Sequence, residues 1–104
     1  MWKLKPSLER GGYTFNGPLF CTPDILQLPP YEVLSIINQI RDLVKRQGTV
    51  DYLQILEHPE RDRKIYAIDS CLAADREYLL NQGGISQKTL TEHSHWTLLF
   101  SDEY

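Results

Sequence analysis

Apolar residues change their spacing along this chain, and each change marks an element. From Tyr31 to Gln47 they fall at Val33, Ile36, Ile37, Ile40, Leu43 and Val44, the spacing of one helical face. Pro30 suits the first turn, where a missing N–H costs nothing. Lys45 and Arg46 lie where they complement the negative end of the helix dipole, and Gly48 supplies a left-handed stop. The stripe predicts an amphipathic helix laid on a core.

The period then shortens to two. "TVDYLQILEH" (49–58) and "KIYAIDS" (64–70) are rich in β-branched and aromatic residues and predict a hairpin, with a polar connection of five or six residues. In the first strand Leu53 and Ile55 are expected on one face, and Val50, Tyr52 and Leu56 on the other. Both faces carry apolar residues, so neither is expected to be wholly bare to water. A last strand puts Trp96, Leu98 and Phe100 on one side and His95, Thr97 and Leu99 on the other.

The remaining segments are thinner. Tyr13-Thr14-Phe15 and Leu19-Phe20-Cys21 are β-prone pieces that would add an edge strand, and Thr22-Pro23-Asp24 opens a turn or two of helix. Residues 71–80 form a second helix, capped by Asp69 or Ser70 and ended by Gly83-Gly84, with residues 85–94 a polar approach to the last strand. The expected fold is α+β, with residues 1–104 as a single domain. A small antiparallel sheet of three or four strands packs against one main amphipathic helix plus the shorter second helix. Ile36, Ile40, Leu43, Leu53, Ile55 and Leu98 are the expected core.

Composition narrows the function classes. A hydrophobic fraction of 41% and a charged fraction of 24% are those of a globular chain. No apolar run approaches the roughly 18 residues that span a bilayer, and the start shows no apolar signal region, which points to a cytoplasmic protein without a membrane partner. Cys21 and Cys71, far apart, are expected as free thiols. The net charge is −3, and residues 65–104 set Arg76 and Lys88 against Asp69, Asp75, Glu77, Glu92, Asp102 and Glu103. Arg41/Lys45/Arg46 and Arg61/Arg63/Lys64 are interrupted by acids, so no basic stripe argues for nucleic acid.

Candidate chemistry is sparse. On an extended strand His93 and His95 would share a face, but zinc needs further ligands, and only His58, Cys71, Glu92 and Cys21 are on offer. The preferred reading is a polar lead-in to a buried strand, with no metal and no cofactor. Cys71 at a helix start, beside His93 or His95, would make a thiol–imidazole pair, but no local signature surrounds it. Asp51, Glu57 and Asp69 read as strand-end carboxylates rather than an acid/base couple. Neither glycine pair has the context of a phosphate loop.

"LPPYEVLSIINQI", "VDYLQILEH" and the closing "TLLFSDEY" carry a resemblance. Leu28-Pro29 before the helix, Asp51-Tyr52-Leu53-Gln54 in a strand, and Leu98-Leu99 with Asp102-Glu103-Tyr104 at the end resemble a family of short, uncharacterised proteins of Gram-positive bacteria and their mobile elements. Residues 59–92 lie outside the resemblance, and the aromatic residue usual in that family's helix is missing. The resemblance implies a small α+β domain and supplies no activity.

What remains is a non-enzymatic protein of accessory, regulatory or inhibitor type that acts by protein–protein binding or self-association. Aromatic residues make 11% of the chain, and one helix covers only one face of a sheet. Tyr52, Tyr66 and Trp96 are the expected partner-binding residues. The alternatives are a small thiol-dependent enzyme using Cys71 with His93 or His95, and an acidic mimic of nucleic acid.

Overall fold

The structure, a computed structural model, describes residues 1–7 and 9–104. Five strands form one sheet: β1 (Lys3–Leu4), β2 (Leu19–Cys21), β3 (Leu53–His58), β4 (Arg61–Asp69) and β5 (Trp96–Phe100), in the spatial order β1-β3-β4-β5-β2. The helices are α1 (Pro23–Leu26), α2 (Pro30–Gln47), α3 (Ala73–Leu80) and α4 (Gln87–His93), and a 3₁₀ turn, Ser101–Glu103, follows β5. The class is α+β, as expected. The sheet is larger than expected and mixed, because β2 pairs parallel to β5 while every other pairing is antiparallel.

The main helix forms as its sequence dictates. Pro30 opens α2, and Gly48 closes it at φ +83°, its N–H donating to the Val44 carbonyl at 2.7 Å. Ile36 and Ile40 are fully buried, and Val33, Ile37, Leu43 and Val44 pack partly buried around them. The opposing face of the sheet supplies Leu56, Ile65, Ala67, Trp96, Leu98 and Phe100, and Trp2, Phe15, Ile25, Leu28 and Val50 close the cluster from its margins. Trp2 brings a polar problem into the core: its Nε1 donates to Glu32 Oε1 at 3.1 Å, and Arg61 stands 4.0 Å from the same oxygen. The buried carboxylate is thus paired on both sides, as a buried charge must be.

Four expectations need correcting. Leu53 and Ile55 do not join the core; Gln54 and Leu56 face α2 instead. Apolar residues stand on both faces of β3, so alternation alone could not choose between them, and the larger inward set of β5 fixes the register through β4. The hairpin connection is only Pro59-Glu60, because Arg61–Arg63 extend β4 and His58 Nδ1 accepts the Glu60 N–H at 3.1 Å. The polar approach to β5 contains α4, begun by Ser86, whose Oγ accepts the Thr89 N–H at 3.1 Å. Lys3–Leu4 adds an edge strand that two residues of pattern could not announce. Of the β-prone pieces, Leu19–Cys21 becomes a strand, whereas Tyr13 makes only a bridge to Val50.

The long segment before β2 is fastened across the sheet end. A side chain at Gly17 would place its Cβ 2.6 Å from the Ser94 carbonyl oxygen, so only glycine lets the two backbones pass. Phe15 takes a positive φ of 51°, held by its N–H to Asp69 Oδ2 at 2.9 Å and by its ring edge-on to Trp96. Helices α3 and α4 bury none of their residues.

Candidate functional site

The face of the sheet turned away from α2 is the candidate interface. Pairing places Leu53 opposite Ile68, Ile55 opposite Tyr66, Tyr66 opposite Leu99, and both Ile68 and Phe20 opposite Thr97. These residues form a contiguous apolar band across four strands, and each is half-buried or exposed. Cross-strand neighbours shield one another at this spacing, which leaves these residues half-buried, and Lys5, Pro6, Ser7 and Glu9 border Leu53 and Ile55 at the edge of the band. Tyr104 packs edge-on to Tyr66 at 5.9 Å between centroids and is itself 79% exposed, and Phe20 stacks tilted on His95 at 4.9 Å. Charges mark the two ends of the band. Lys3 pairs in register with Glu57, and Lys64 lies 3.9 Å from Glu57 at one end; Asp51, with Lys5 and Glu9, shares a groove with Leu53 and Ile55 at the other.

The three residues expected to bind a partner are separated. Tyr66 stands at the centre of the open band. Tyr52 is 42% exposed but lies two residues before Gln54, in the parity of the covered face, with its ring against Tyr13. Trp96 is 3% exposed and belongs to the core, a correction that follows from β5 turning its largest side chains toward α2. Sequence reasoning assigns Leu53 and Ile55 to the core and names none of Ile68, Leu99, Phe20 and Tyr104 as a partner residue. The second apolar parity of β4 and β5 was the signal that could have found them.

The residues considered for metal and thiol chemistry also come apart. His93 ends α4, exposed, so it does not share a strand face with His95. His95 is half-buried; its Nδ1 lies 3.0 Å from the Thr91 carbonyl, and its ring rests on Phe20 toward the open face. Cys71 is buried toward the other side, near Ser94 and the Leu72 carbonyl. Burial raises its pKa, and Asp75 and Asp69 add to the effect against the lowering pull of Ser94 and Arg76. The thiol is therefore held in its unreactive form. Cys21 is likewise raised by burial, and both cysteines are free. Asp69 is committed to the fold, accepting the Phe15 and Cys71 backbone N–H groups. Among the described residues no group of three His, Cys, Asp or Glu side chains converges as a metal site, and no helix is long and apolar enough to cross a membrane.

No family model, no curated protein and no solved structure matches this chain.

Proposed function

We propose that the protein is a non-enzymatic binding protein of accessory, regulatory or inhibitor type, acting through the open face of its sheet. The observation that carries this reading is the band of Leu53, Ile55, Tyr66, Ile68 and Leu99, which stays only half-buried among the described residues. Contiguous apolar surface of this kind marks interaction sites. Its occupant is a second copy of the chain. A two-fold axis in the plane of contact, perpendicular to the strands, sets the Lys3/Lys64 end of one copy against the Asp51 end of the other.

Size bounds the strength. Four strands about 4.8 Å apart, with about six residues each at 3.3 Å, give roughly 400 Å² per copy. If a little over half of the roughly 800 Å² buried in total is apolar, about 25 cal/mol per Å² gives roughly 12 kcal/mol gross. Association costs about 4–15 kcal/mol, which leaves a dimer of roughly micromolar strength at best. Sedimentation velocity from micromolar to millimolar protein tests the reading. A monomer–dimer equilibrium is expected, and Leu99→Lys should shift it to monomer while leaving the circular dichroism unchanged. A wild type that stays monomeric throughout, or a Leu99→Lys variant that dimerises equally well, would overturn it.

A further inference from the structure

We infer that a groove on the covered side of the sheet, away from the open face, binds a small organic anion, a monocarboxylate with an apolar body. The groove runs between segment 14–19 and α2 and has a volume of about 540 Å³. That lies within the range of small-molecule sites, about 300–1,000 Å³. Trp96 lines it from the sheet. Its other wall is one face of α2, where Ile37, Arg41, Val44 and Lys45 recur at helical spacing.

The wall facing α2 is built before any ligand arrives. Phe15 donates its N–H to Asp69 Oδ2 at 2.9 Å and sets its ring edge-on to Trp96. Further along, the Pro18 carbonyl accepts the Trp96 N–H at 3.0 Å, and Leu19 pairs with Trp96 in register. Between these anchors Gly17 passes too close to the Ser94 carbonyl to carry a side chain. The segment is thus tied to the sheet at both ends and in its middle. Across the groove, α2 is held by the burial of Ile36 and Ile40. Walls fixed in this way are already shaped for a ligand, so little ordering cost opposes its binding.

The chemistry of the lining selects the ligand. Phe15, Leu19, Ile37 and Val44 are apolar; Arg41 and Lys45 carry the charge, and among the described residues no Asp or Glu joins them. Both are exposed, and neither makes an ion pair among the described residues, whereas Arg61, Arg63 and Lys64 each stand against a carboxylate. Asp42 follows Arg41 in sequence but stands about 100° round the helix. Lys45 lies in the last turn of α2, where its charge suits the helix dipole. Arg41 is more than a turn further in, beyond that effect, and its guanidinium forms a fork that matches a carboxylate. A cation would meet two like charges here. A neutral apolar molecule leaves both basic groups unused, and an inorganic anion gains nothing from the apolar wall. An apolar monocarboxylate uses both, its body against Ile37 and Val44 and its head toward Arg41 and Lys45.

Octanoate is the probe, with octanol, octylammonium and acetate as controls for charge, sign and apolar body. Titration of ¹⁵N-labelled protein with millimolar octanoate should shift the Trp96 indole N–H and the backbone of 14–17 and 37–45. At matched concentration each control should shift these residues at least tenfold less. Arg41→Gln/Lys45→Gln, at two exposed positions, should stay folded and bind octanoate at least tenfold more weakly. Should the double variant unfold, Arg41→Gln alone should weaken binding several-fold. The inference falls if octanoate leaves the groove residues unshifted, if any control binds as well, or if the variants bind unchanged. Octanoate shifts confined to Leu53, Tyr66 and Leu99 would also overturn it, because they place the ligand on the open face. None of these outcomes depends on the dimer.

Discussion

The two faces of this sheet are built from similar residues and have different fates. On the covered face Leu56, Ile65, Ala67, Trp96, Leu98 and Phe100 meet Ile36 and Ile40 of α2 and lose nearly all contact with water. On the open face Leu53, Ile55, Tyr66, Ile68 and Leu99 are comparably apolar and remain half-buried. One eighteen-residue helix covers one face, and α3 and α4, which might have covered the other, bury nothing of their own. Hydrophobicity therefore does not separate fold from function here. Coverage does, and coverage is a property of topology.

The largest effect should come from the covered face. Trp96→Ala removes a fully packed indole that Phe15 meets edge-on, and truncations of this size cost about 3–5 kcal/mol. Urea unfolding should show a loss of that order, with the circular dichroism weakened at room temperature. Trp96→Ala with wild-type stability but a lost dimer would move the residue back to the surface and reverse the assignment of faces. Ile40→Ala, in the buried stripe of α2, should cost about 2–5 kcal/mol by the same measurement. An unchanged midpoint would mean that α2 presents a different side.

How much of this was legible follows from the same contrast. The α2 stripe was readable because six apolar positions share one helical face and Pro30 and Gly48 punctuate its ends. Leu98, Ile36 and Ile40 were placed in the core for sound reasons, and Leu43 packs at its edge. Leu53 and Ile55 were not, because a strand apolar on both faces has no internal arbiter of register, and a one-residue choice inverts every side chain. Trp96 was read into two incompatible roles, since its bulk suits a core or an interface equally well. The burial of Gln54 was beyond sequence altogether, since a polar residue turns inward here only once β3 has its register.

The open face should yield a smaller effect on stability and a larger one on association. Ile55→Ser removes a half-buried side chain outside the packed core, so little cavity term applies and the loss should stay near 1 kcal/mol. The dimer should weaken at least tenfold in the same preparation, read by sedimentation. A loss of about 3 kcal/mol or more in urea would show that the face is covered within the chain itself.

The covered face at its polar end, where Asp69 turns inward beside Trp96, is tested through its pH dependence. Burial raises the Asp69 pKa, and the Phe15 and Cys71 N–H groups, with the Arg76 charge, pull it back only in part. The folded chain therefore binds this proton more tightly than the unfolded chain. The group's contribution is complete below its unfolded pKa of about 3.9 and is lost as pH rises through the folded value. Asp102, outside the core, runs the other way. The Arg63 hydrogen bond at 2.9 Å lowers its pKa, so its contribution is present above the unfolded pKa and lost as pH falls through the folded value. Asp69→Asn gives up one acceptor for the two N–H groups and should cost about 1–3 kcal/mol at acid pH. Urea titrations from about pH 3.5 to 6.5 should then show the wild type's advantage over Asp69→Asn shrinking as pH rises. Over the same range its slight advantage over Asp102→Asn should grow. If the Asp69 gap widens instead, the two backbone N–H groups outweigh burial, and the carboxylate is held as an anion that fixes the positive φ of Phe15.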